Sequence, residues 1–318
     1  MRKIIDNERI IIKVCDMYFN GMKKQSEIAK ELNISRPTVS RMIDIAKEKG
    51  IVKILISDLS GRNYFSLERK LEEKFNLKEV IIVDTKEDDK EQKDEMGKAT
   101  ANFLERIVKE GSIVGVSMGT TISCIAKHIS GYYSYRKLQF IPMIGGVGQV
   151  ATELHSNSIV ENLAKSFGAK YKFLHIPAMV SSSHIKEELM KDDYIKNIFD
   201  KVNKMNIALL GIGSISEDST VIHTGYFESN QYEELKNNGA VSDICMNILD
   251  ANGDPSKFDI NNNVISVDID RFKMTEYSIG IAGGLKKEES ILSVIRGGYI
   301  NVLVTDVECA KRLLEKKL

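Results

Sequence analysis

The α/β character of this chain is set by the stretch VGVSMGTTI, residues 114–122. Its apolar start, VGV, predicts a buried strand, and the chain then passes through small hydroxyl residues into a helical pattern. At such a junction a glycine lets backbone approach an anion, the first N–H groups of the helix donate to it, and the helix dipole favours it. Ser117, Gly119, Thr120 and Thr121 are therefore candidate ligands of a phosphate group.

Strands and helices alternate on both sides of this stretch. Apolar runs predict strands at EVIIVD, GSIVGVS, LQFIPMIGG, NIALLGIGS, NNVISVDI and NVLVTD. Helical patterns occur at TTISCIAKHI, SIVENLAKSF and ECAKRLLEKK. This order predicts a doubly wound α/β domain, in which helices cover both faces of a parallel sheet.

Several glycine-rich turns follow predicted strands, including MIGGVG with Gly145 and Gly146, LLGIGS, and IAGGLKK. Ligands of open α/β sheets collect at the carboxyl ends of the strands, so these turns could line one crevice. Lys286 or Lys287 would add a cation for a phosphate. Taken singly, each glycine could equally serve only a tight turn.

Two further polar residues, His155 and Asp243, are candidates for contacts with sugar hydroxyls. A lone histidine or aspartate is more often a satisfied structural residue, so pattern alone does not decide between the two roles. The sequence contains neither a complete dinucleotide fingerprint, GxGxxG, nor a Walker motif, GxxxxGK[ST]. Nucleotide-binding folds of those two kinds are thereby disfavoured.

The N-terminal part of the chain is basic. Residues 1–55 hold 12 Lys/Arg and 7 Asp/Glu, although the whole chain has a formal net charge of zero. A basic module on a mildly acidic body suggests a polyanionic partner for the module alone. A polar, turn-like segment, DLSGRN, places the boundary between a first domain, 1–57, and a second domain, 58–318.

The segment QSEIAKELNISRPTVSRMIDIAKEKG predicts two short helices around an NIS turn, with a serine as the N-cap of the second helix. In a helix-turn-helix, the start of the second helix faces base edges and phosphates in the major groove. Arginines there suit guanine, and hydroxyl residues suit phosphates or a thymine methyl. The candidate DNA contacts are Gln25, Ser35, Arg36, Thr38, Ser40 and Arg41. An ordinary helical hairpin with a basic face is the alternative.

Bulk properties exclude several other classes. No apolar run approaches the roughly 20 residues that a membrane-spanning helix needs, so no membrane partner is expected. The four cysteines are scattered singly, which argues against a zinc site and a disulfide framework and favours a cytoplasmic protein. We expect neither a cofactor nor a metal.

Taken together, these motifs resemble the SorC family of sugar-responsive bacterial transcriptional regulators. The resemblance is carried, in chain order, by QSEIAKELNISRPTVSRMIDIAKEKGIV, IVGVSMGTTI, IGGVG, HSNSIVENLA, NIALLGIGSI, TGYF, GAVSDICMNILDANG and AGGLKK. It implies an effector domain with the fold of sugar-phosphate isomerases, which binds a phosphorylated sugar. It also implies a homo-oligomer, a dimer or tetramer, whose affinity for operator DNA changes with the effector.

The resemblance also assigns roles to single residues. SMGTT matches the family's phosphate-binding loop, and Lys287 matches the lysine that closes the family's GGxxK turn. Asp243 occupies the position at which the family has an acidic residue that contacts the sugar. His155 falls near a polar contact position. Ile144 stands where one member has a lysine that forms a Schiff base and another has an arginine, which implies non-covalent binding of an effector with no anion at that end. Ser242 replaces a usual glycine, which implies a different pocket wall.

These features predict a DNA-binding transcriptional repressor of carbohydrate-metabolism genes rather than an enzyme. A sugar-phosphate isomerase or deaminase is the alternative, and it would need a general base and a general acid close to the phosphate loop. Asp243 and His155 could supply them, but the helix-turn-helix would then be unexplained. A third possibility is a module whose helical head binds protein instead of DNA.

Overall fold

The computed structural model describes residues 7–53, 64–148, 151–216, 219, 226, 229–284 and 286–317. The chain divides into two compact units, residues 1–61 and residues 62–318. The boundary predicted between residues 57 and 58 lies outside the described residues.

The N-terminal unit is helical. Helix α1 (Glu8–Cys15) continues into a π-helical turn (Asp16–Asn20), and α2 (Gln25–Glu31) and α3 (Arg36–Glu48) follow. The predicted pair of short helices around the NIS turn is thus present. Asn33 turns the chain with a left-handed backbone, φ 51°. The three helices share one apolar core, whose fully or nearly fully buried members are Ile11, Val14, Cys15, Met17, Ile28, Ala29, Val39, Met42, Ile43 and Ala46.

The C-terminal unit is built on a parallel sheet, which the sequence predicts. Among the described residues it has seven strands, in the spatial order β1 (Glu79–Val83), β10 (Val302–Asp306), β9 (Tyr277–Ile281), β5 (Ile207–Gly211), β2 (Ile113–Val116), β3 (Gln139–Pro142) and β4 (Lys170–Tyr171). Every neighbouring pair in this sheet is parallel. A separate antiparallel sheet contains β6 (Gly213–Ser214), β7 (Ala240–Ile244) and β8 (Asn247–Asp250).

Helices cover both faces of the parallel sheet. Their bounds are α4 (Phe65–Phe75), α5 (Asp89–Ile107), α6 (Thr120–Ser123), α7 (Ser156–Ser166), α8 (Ser183–Met190), α9 (Asp193–Val202), α10 (Ser229–Asn237), α11 (Asp270–Lys273), α12 (Glu288–Arg296) and α13 (Val307–Glu315). Strand β5 shows the two faces directly, because Ile207 and Leu209 pack in one apolar cluster and Ala208 and Leu210 in another. None of the helices in the described ranges combines the length and the apolar composition needed to cross a bilayer.

Two predicted elements differ from the structure. The run NNVISVDI is not a strand of the sheet, since a 3₁₀ turn (Asp259–Asn263) is followed only by isolated bridges. Its alternating apolar side chains are buried, but backbone N–H groups such as that of Ile265 bond to irregular segments. The run TTISCIAKHI forms a single α-helical turn, α6, and then a 3₁₀ turn (Ala126–His128), because the N–H groups of Cys124 and Ile125 bond three residues back.

Candidate functional site

A cavity of about 660 Å³ opens at the carboxyl ends of β2, β5 and β9. Strands β2, β3 and β4 follow one another toward one edge of the sheet, whereas β5 is added on the other side of β2 and β9 and β10 continue toward the opposite edge. The order of the strands therefore reverses between β2 and β5. This topological switch point is where open α/β sheets bind their ligands.

The SMGTT loop forms one wall of the cavity through Gly119, Thr120 and Thr121. Gly119 has φ 132°, a backbone conformation that residues other than glycine rarely adopt. Its N–H already donates to the carbonyl of Leu154 at 3.3 Å. Helix α6 begins at Thr120, so the first N–H groups after the glycine have no acceptor within the helix. Helix α6 is only one turn long, so its dipole is small. An anion at this wall would be bound mainly by hydroxyl and N–H groups.

Ser117 does not line the cavity, contrary to its candidate role. Its side chain is buried, and its hydroxyl accepts the N–H of Gly211 at 3.2 Å and donates to the carbonyl of Met118 at 3.3 Å. Ser117 therefore joins the loop after β2 to the end of β5. It positions the cavity wall without facing the cavity.

Asp243 faces the cavity from the antiparallel sheet, where it lies opposite Gly213. A Cβ atom on Gly213 would stand 1.7 Å from the carboxylate Oδ1 of Asp243, so only a glycine leaves room for this side chain. Burial raises the pKa of Asp243 to about 6, although the charge of Lys287 and the N–H of Met246 both act to lower it. The carboxylate is therefore ionised at neutral pH but poorly solvated.

Lys287 reaches the same cavity from the turn before α12. Its Nζ donates to the carbonyl of Ile212 and to the hydroxyl of Ser214, both at 3.2 Å. Burial lowers the pKa of Lys287, against the raising effect of the Asp243 charge. The structure thus brings Gly119, Thr120, Thr121, Asp243 and Lys287 to one cavity.

The turn that carries Lys287 is anchored on a buried carboxylate. Asp306 accepts the N–H of Gly284 and the hydroxyl of Thr85, the latter at 2.7 Å. A Cβ on Gly283 would lie 2.6 Å from the Asp306 Oδ2 atom. Gly283 is required by this close approach, whereas Gly284 is favoured by its positive φ of 95°.

A strained hairpin supports Asp243. The connection between β7 and β8 consists of Cys245 and Met246, and both have left-handed backbones, with φ 48° and 62°. This is the type I′ geometry, which usually requires Asn-Gly or Asp-Gly. The side-chain amide of Asn247 donates to the carbonyls of Ile244 and Cys245, at 3.3 and 3.1 Å. Both turn residues also line the cavity.

Three other candidate residues lie away from the cavity wall. Gly145 donates its N–H to the carbonyl of Ile265, and Gly146 pairs with backbone of residues 176–178. Their N–H groups are therefore occupied within the fold. His155 is the N-cap position of α7 and is likewise outside the cavity lining.

Ile144 and Ser242 do not shape the cavity either. Ile144 is fully buried in the core and forms an antiparallel bridge with Ser266. Ser242 is fully buried, with its hydroxyl 2.7 Å from that of Ser293 on α12. The expected change of the pocket wall at Ser242 is absent, because this side chain points between β7 and α12.

The sequence did not single out several residues that do line the cavity. They include Asp89, Lys93, Ser214, Ser216, Ser219 and Lys236. Ser214 ends the LLGIGS turn, which the sequence does indicate, but the others lie on helices or in turns that carry no recognisable motif, so only their positions in the fold reveal them.

On the N-terminal unit, Arg36 and Arg41 are exposed on α3, and neither makes an ion pair within the described residues. Ser35 caps α3 by accepting the N–H of Thr38 at 3.3 Å, and the two hydroxyls lie 2.8 Å apart. The other three candidates, Gln25, Thr38 and Ser40, are half-buried. The two guanidinium groups are the members of the set best placed to reach a polyanion.

Comparisons with known proteins agree with this architecture. A family model described as "Putative sugar-binding domain" matches residues 61–315. The chain is 31% identical over 310 residues to the deoxyribonucleoside regulator of Bacillus subtilis, covering 97% of this chain and 98% of the relative. It is 30% identical over 312 residues to the sorbitol operon regulator of Klebsiella pneumoniae, covering 98% and 99%. The crystal structure of that full-length regulator superposes with a TM-score of 0.75 at 30% identity, covering 97% of this chain and 99% of the other.

Proposed function

Because the chain belongs to the SorC family of transcriptional regulators, we propose that it is a DNA-binding repressor of carbohydrate-metabolism genes, controlled by a phosphorylated sugar or polyol. One observation carries the proposal. A single cavity at the switch point of the sheet combines the Thr120–Thr121 loop with Asp243 and Lys287. The same chain bears a helical unit with two exposed arginines, Arg36 and Arg41.

The phosphate is held at the loop wall. Thr120 and Thr121 supply hydroxyl donors beside the first N–H groups of α6, and lysines of the cavity supply positive charge. Hydrogen bonds to an ionised group contribute about 1.5–3 kcal/mol each, roughly twice the value of neutral ones. Two threonine hydroxyls therefore account for a large share of the affinity for a phosphate.

The sugar is recognised without a covalent bond. Asp243 is ionised above about pH 6 and can accept hydrogen bonds from sugar hydroxyls. Ile144, at the position that suggests a covalent link elsewhere in the family, is buried in the core and offers no nucleophile. Affinity then rests on hydrogen bonds and on charge alone.

Binding rather than turnover is the role that the cavity supports. A carboxyl group with a raised pKa beside a lysine is a common arrangement in acid–base catalysis, which is why an isomerase is the alternative. However, His155, the second acid–base candidate, is not among the residues that line the cavity. Asp243 and Lys287 are accounted for by recognition of a hydroxylated anion.

Effector and operator are coupled through the geometry of a homo-oligomer. Recognition helices that read a two-fold operator must stand about one DNA turn apart, or a multiple of it. An effector that binds one subunit arrangement more tightly shifts the population toward it, by no more than its difference in affinity. In a repressor, the favoured arrangement has the poorer spacing for DNA.

Fluorescence anisotropy with DNA from upstream of the protein's own gene tests this function. We expect DNA affinity to fall steeply with rising salt and to fall again when a binding sugar phosphate is added. The double variant Thr120→Val, Thr121→Val should keep its DNA affinity but require at least about 100-fold more effector, because two hydroxyl–phosphate bonds are lost. Thr152→Val, an exposed threonine outside the cavity, is the matched control.

Failure to bind DNA at low salt, combined with chemical conversion of a sugar phosphate, would establish the enzyme alternative. A double variant that responds to the effector like the wild type would show that the phosphate lies elsewhere.

A further inference from the structure

Helix α5 borders the cavity and also holds the segment that follows the SMGTT loop. Asp89, Lys93 and Met96, all from the first half of the helix, line the cavity. Asp94 belongs to the same part of α5, but it is half-buried outside the cavity lining. Any effect of Asp94 on a ligand in the cavity must therefore pass largely through a neighbouring element.

Asp94 binds two consecutive side chains of the 3₁₀ turn (Ala126–His128). Its Oδ1 atom lies 2.8 Å from the Nε2 atom of His128, and the same oxygen forms an ion pair with Lys127. Burial acts to raise the pKa of Asp94, but the hydrogen bonds from Lys127 and His128 outweigh it, and the pKa is lowered. An ionised carboxylate only accepts hydrogen bonds, so the His128 ring donates to it. Asp94 thus fixes the 3₁₀ turn to α5.

A short, closely packed connection joins this 3₁₀ turn to the threonines of the loop. A Cβ atom on Gly97 of α5 would stand 2.8 Å from the Cβ of Cys124, so the helix touches the chain directly after α6. The Ser123 hydroxyl and the Cys124 thiol both donate to the carbonyl of Thr120, at 2.8 and 3.3 Å. A single helical turn has little stability of its own. The positions of Thr120 and Thr121 therefore depend on how the residues after them are held.

A second carboxylate of α5 holds the far end of the same segment. Glu105 is also half-buried, and it accepts the N–H groups of Ser130 and Gly131, at 2.8 and 3.0 Å. It has the charge of Asp94 and a comparable number of hydrogen bonds, but its partners lie beyond the 3₁₀ turn. Glu105 therefore allows the docking of the segment to be separated from the positioning of the loop.

From these contacts we propose that Asp94 is a positioning residue for effector binding, which fixes the 3₁₀ turn through His128 and Lys127 and thereby holds the Thr120 and Thr121 hydroxyls where they meet a phosphate. The inference rests on the proposed function and deepens it, by naming a residue outside the cavity that governs the affinity of the loop. The charge of Asp94 acts in the opposite direction. A negative charge near an anion site weakens binding, so its removal without any change in the loop would strengthen binding.

Isothermal titration calorimetry of the full-length protein with inorganic phosphate tests this role, with the melting temperature of every variant measured beside it. Asp94→Ala should bind phosphate about tenfold more weakly than the wild type, which is roughly the loss of one hydrogen bond to an ionised group. Asp94→Asn, which keeps the shape and one acceptor, should fall between the two, and it gives the same test if the alanine variant fails to fold.

Glu105→Ala is the matched control. It removes the same charge and breaks hydrogen bonds to the same segment, so it should lower the melting temperature but leave the phosphate affinity unchanged. A double-mutant cycle adds a second check. In a Thr120→Val background, Asp94→Ala should cost less affinity than in the wild type, because one of the hydroxyls that it positions is already gone.

Unchanged or tighter phosphate binding by the Asp94 variants would overturn the positioning role and leave the sensor function intact. Two other results would do the same: an equal loss of affinity in Glu105→Ala, or a full loss from Asp94→Ala in the Thr120→Val background. A wild type that binds no phosphate would overturn the proposed sensor itself and the positioning role with it.

Discussion

Replacing Asp243 by asparagine should make the protein more stable and less responsive at the same time. The carboxylate is buried and its pKa is raised from 3.8 to about 6. A shift of one pKa unit corresponds to about 1.36 kcal/mol, so keeping Asp243 ionised lowers the free energy of unfolding by about 3 kcal/mol at neutral pH. Asp243→Asn removes this charge at nearly constant shape. About 3 kcal/mol is an upper limit, because Lys287 loses the charge that faces it.

The pH dependence follows from the direction of the shift. A carboxyl group whose pKa is raised on folding is favoured in its protonated form, so its contribution to stability is complete below pH 3.8 and is lost as the pH rises through about 6. The difference in unfolding free energy between Asp243→Asn and the wild type should therefore be small near pH 4 and reach its maximum above pH 7. Effector affinity should change in the opposite sense, since a neutral amide replaces an ionised acceptor.

Guanidinium unfolding followed by circular dichroism measures this difference. Both proteins are compared at pH 7.5 and pH 4.5 and at one fixed protein concentration, because the stability of an oligomer depends on its concentration. Asp200→Asn, on the exposed side of α9, controls for the loss of one surface charge and should show no such pH dependence. Two results would contradict the assignment of a desolvated, ionised Asp243: a variant that is less stable than the wild type at pH 7.5, or a stability difference that is equal at both pH values.

Two other substitutions separate the DNA-binding unit from the cavity and the cavity from its support. Arg41→Ala should weaken operator binding by about 1–3 kcal/mol in an anisotropy titration and leave effector affinity unchanged, whereas Lys49→Ala, which removes a like charge at the far end of α3, should have a smaller effect; equal losses would argue against α3 as the recognition helix. Gly213→Ala should weaken the effector response, as Asp243→Asn does, but it should also lower the melting temperature, because its Cβ would overlap the Asp243 carboxylate at 1.7 Å; a normal response would show that this carboxylate is not needed.

The parallel sheet was predictable because its strands are nearly continuous apolar runs, which is the pattern of strands that are buried on both faces. β5 and β10 are examples, and β2 with its glycine-rich turn gave the position of the cavity. Strand β9, YSIGI, was indicated only by the glycine-rich turn IAGGLKK that follows it, because it is short and contains a glycine. That glycine has a packing reason, since a Cβ on Gly280 would meet Ile300 at 2.8 Å.

The antiparallel sheet was missed for a different physical reason. A two-residue hairpin is normally recognised by Asn-Gly or a similar pair, which adopts left-handed backbone without strain. Here Cys245 and Met246 occupy those positions, so local sequence gave no signal. Side-chain hydrogen bonds hold the turn: Asn247 donates to the carbonyls of Ile244 and Cys245, and Asp243 accepts the N–H of Met246. Asn247 is itself held by a residue distant in sequence, because its amide also donates to the Ser266 hydroxyl at 2.9 Å. Sequence motifs reflect local backbone preferences, and Cys245 and Met246 form this turn against theirs.

The unfavourable features of the C-terminal unit gather around one volume. The strained turn at Cys245 and Met246, the desolvated carboxylate of Asp243 and the unpaired hydroxyl of Ser219 all belong to residues of the same cavity. Each lowers the stability of the empty protein, and a hydroxylated anion would relieve the second of them by donating a hydrogen bond to the carboxylate. An effector that satisfies the Asp243 carboxylate would stabilise the arrangement of β6 and β7, so its binding would have a conformational consequence that a preformed, fully satisfied pocket would lack.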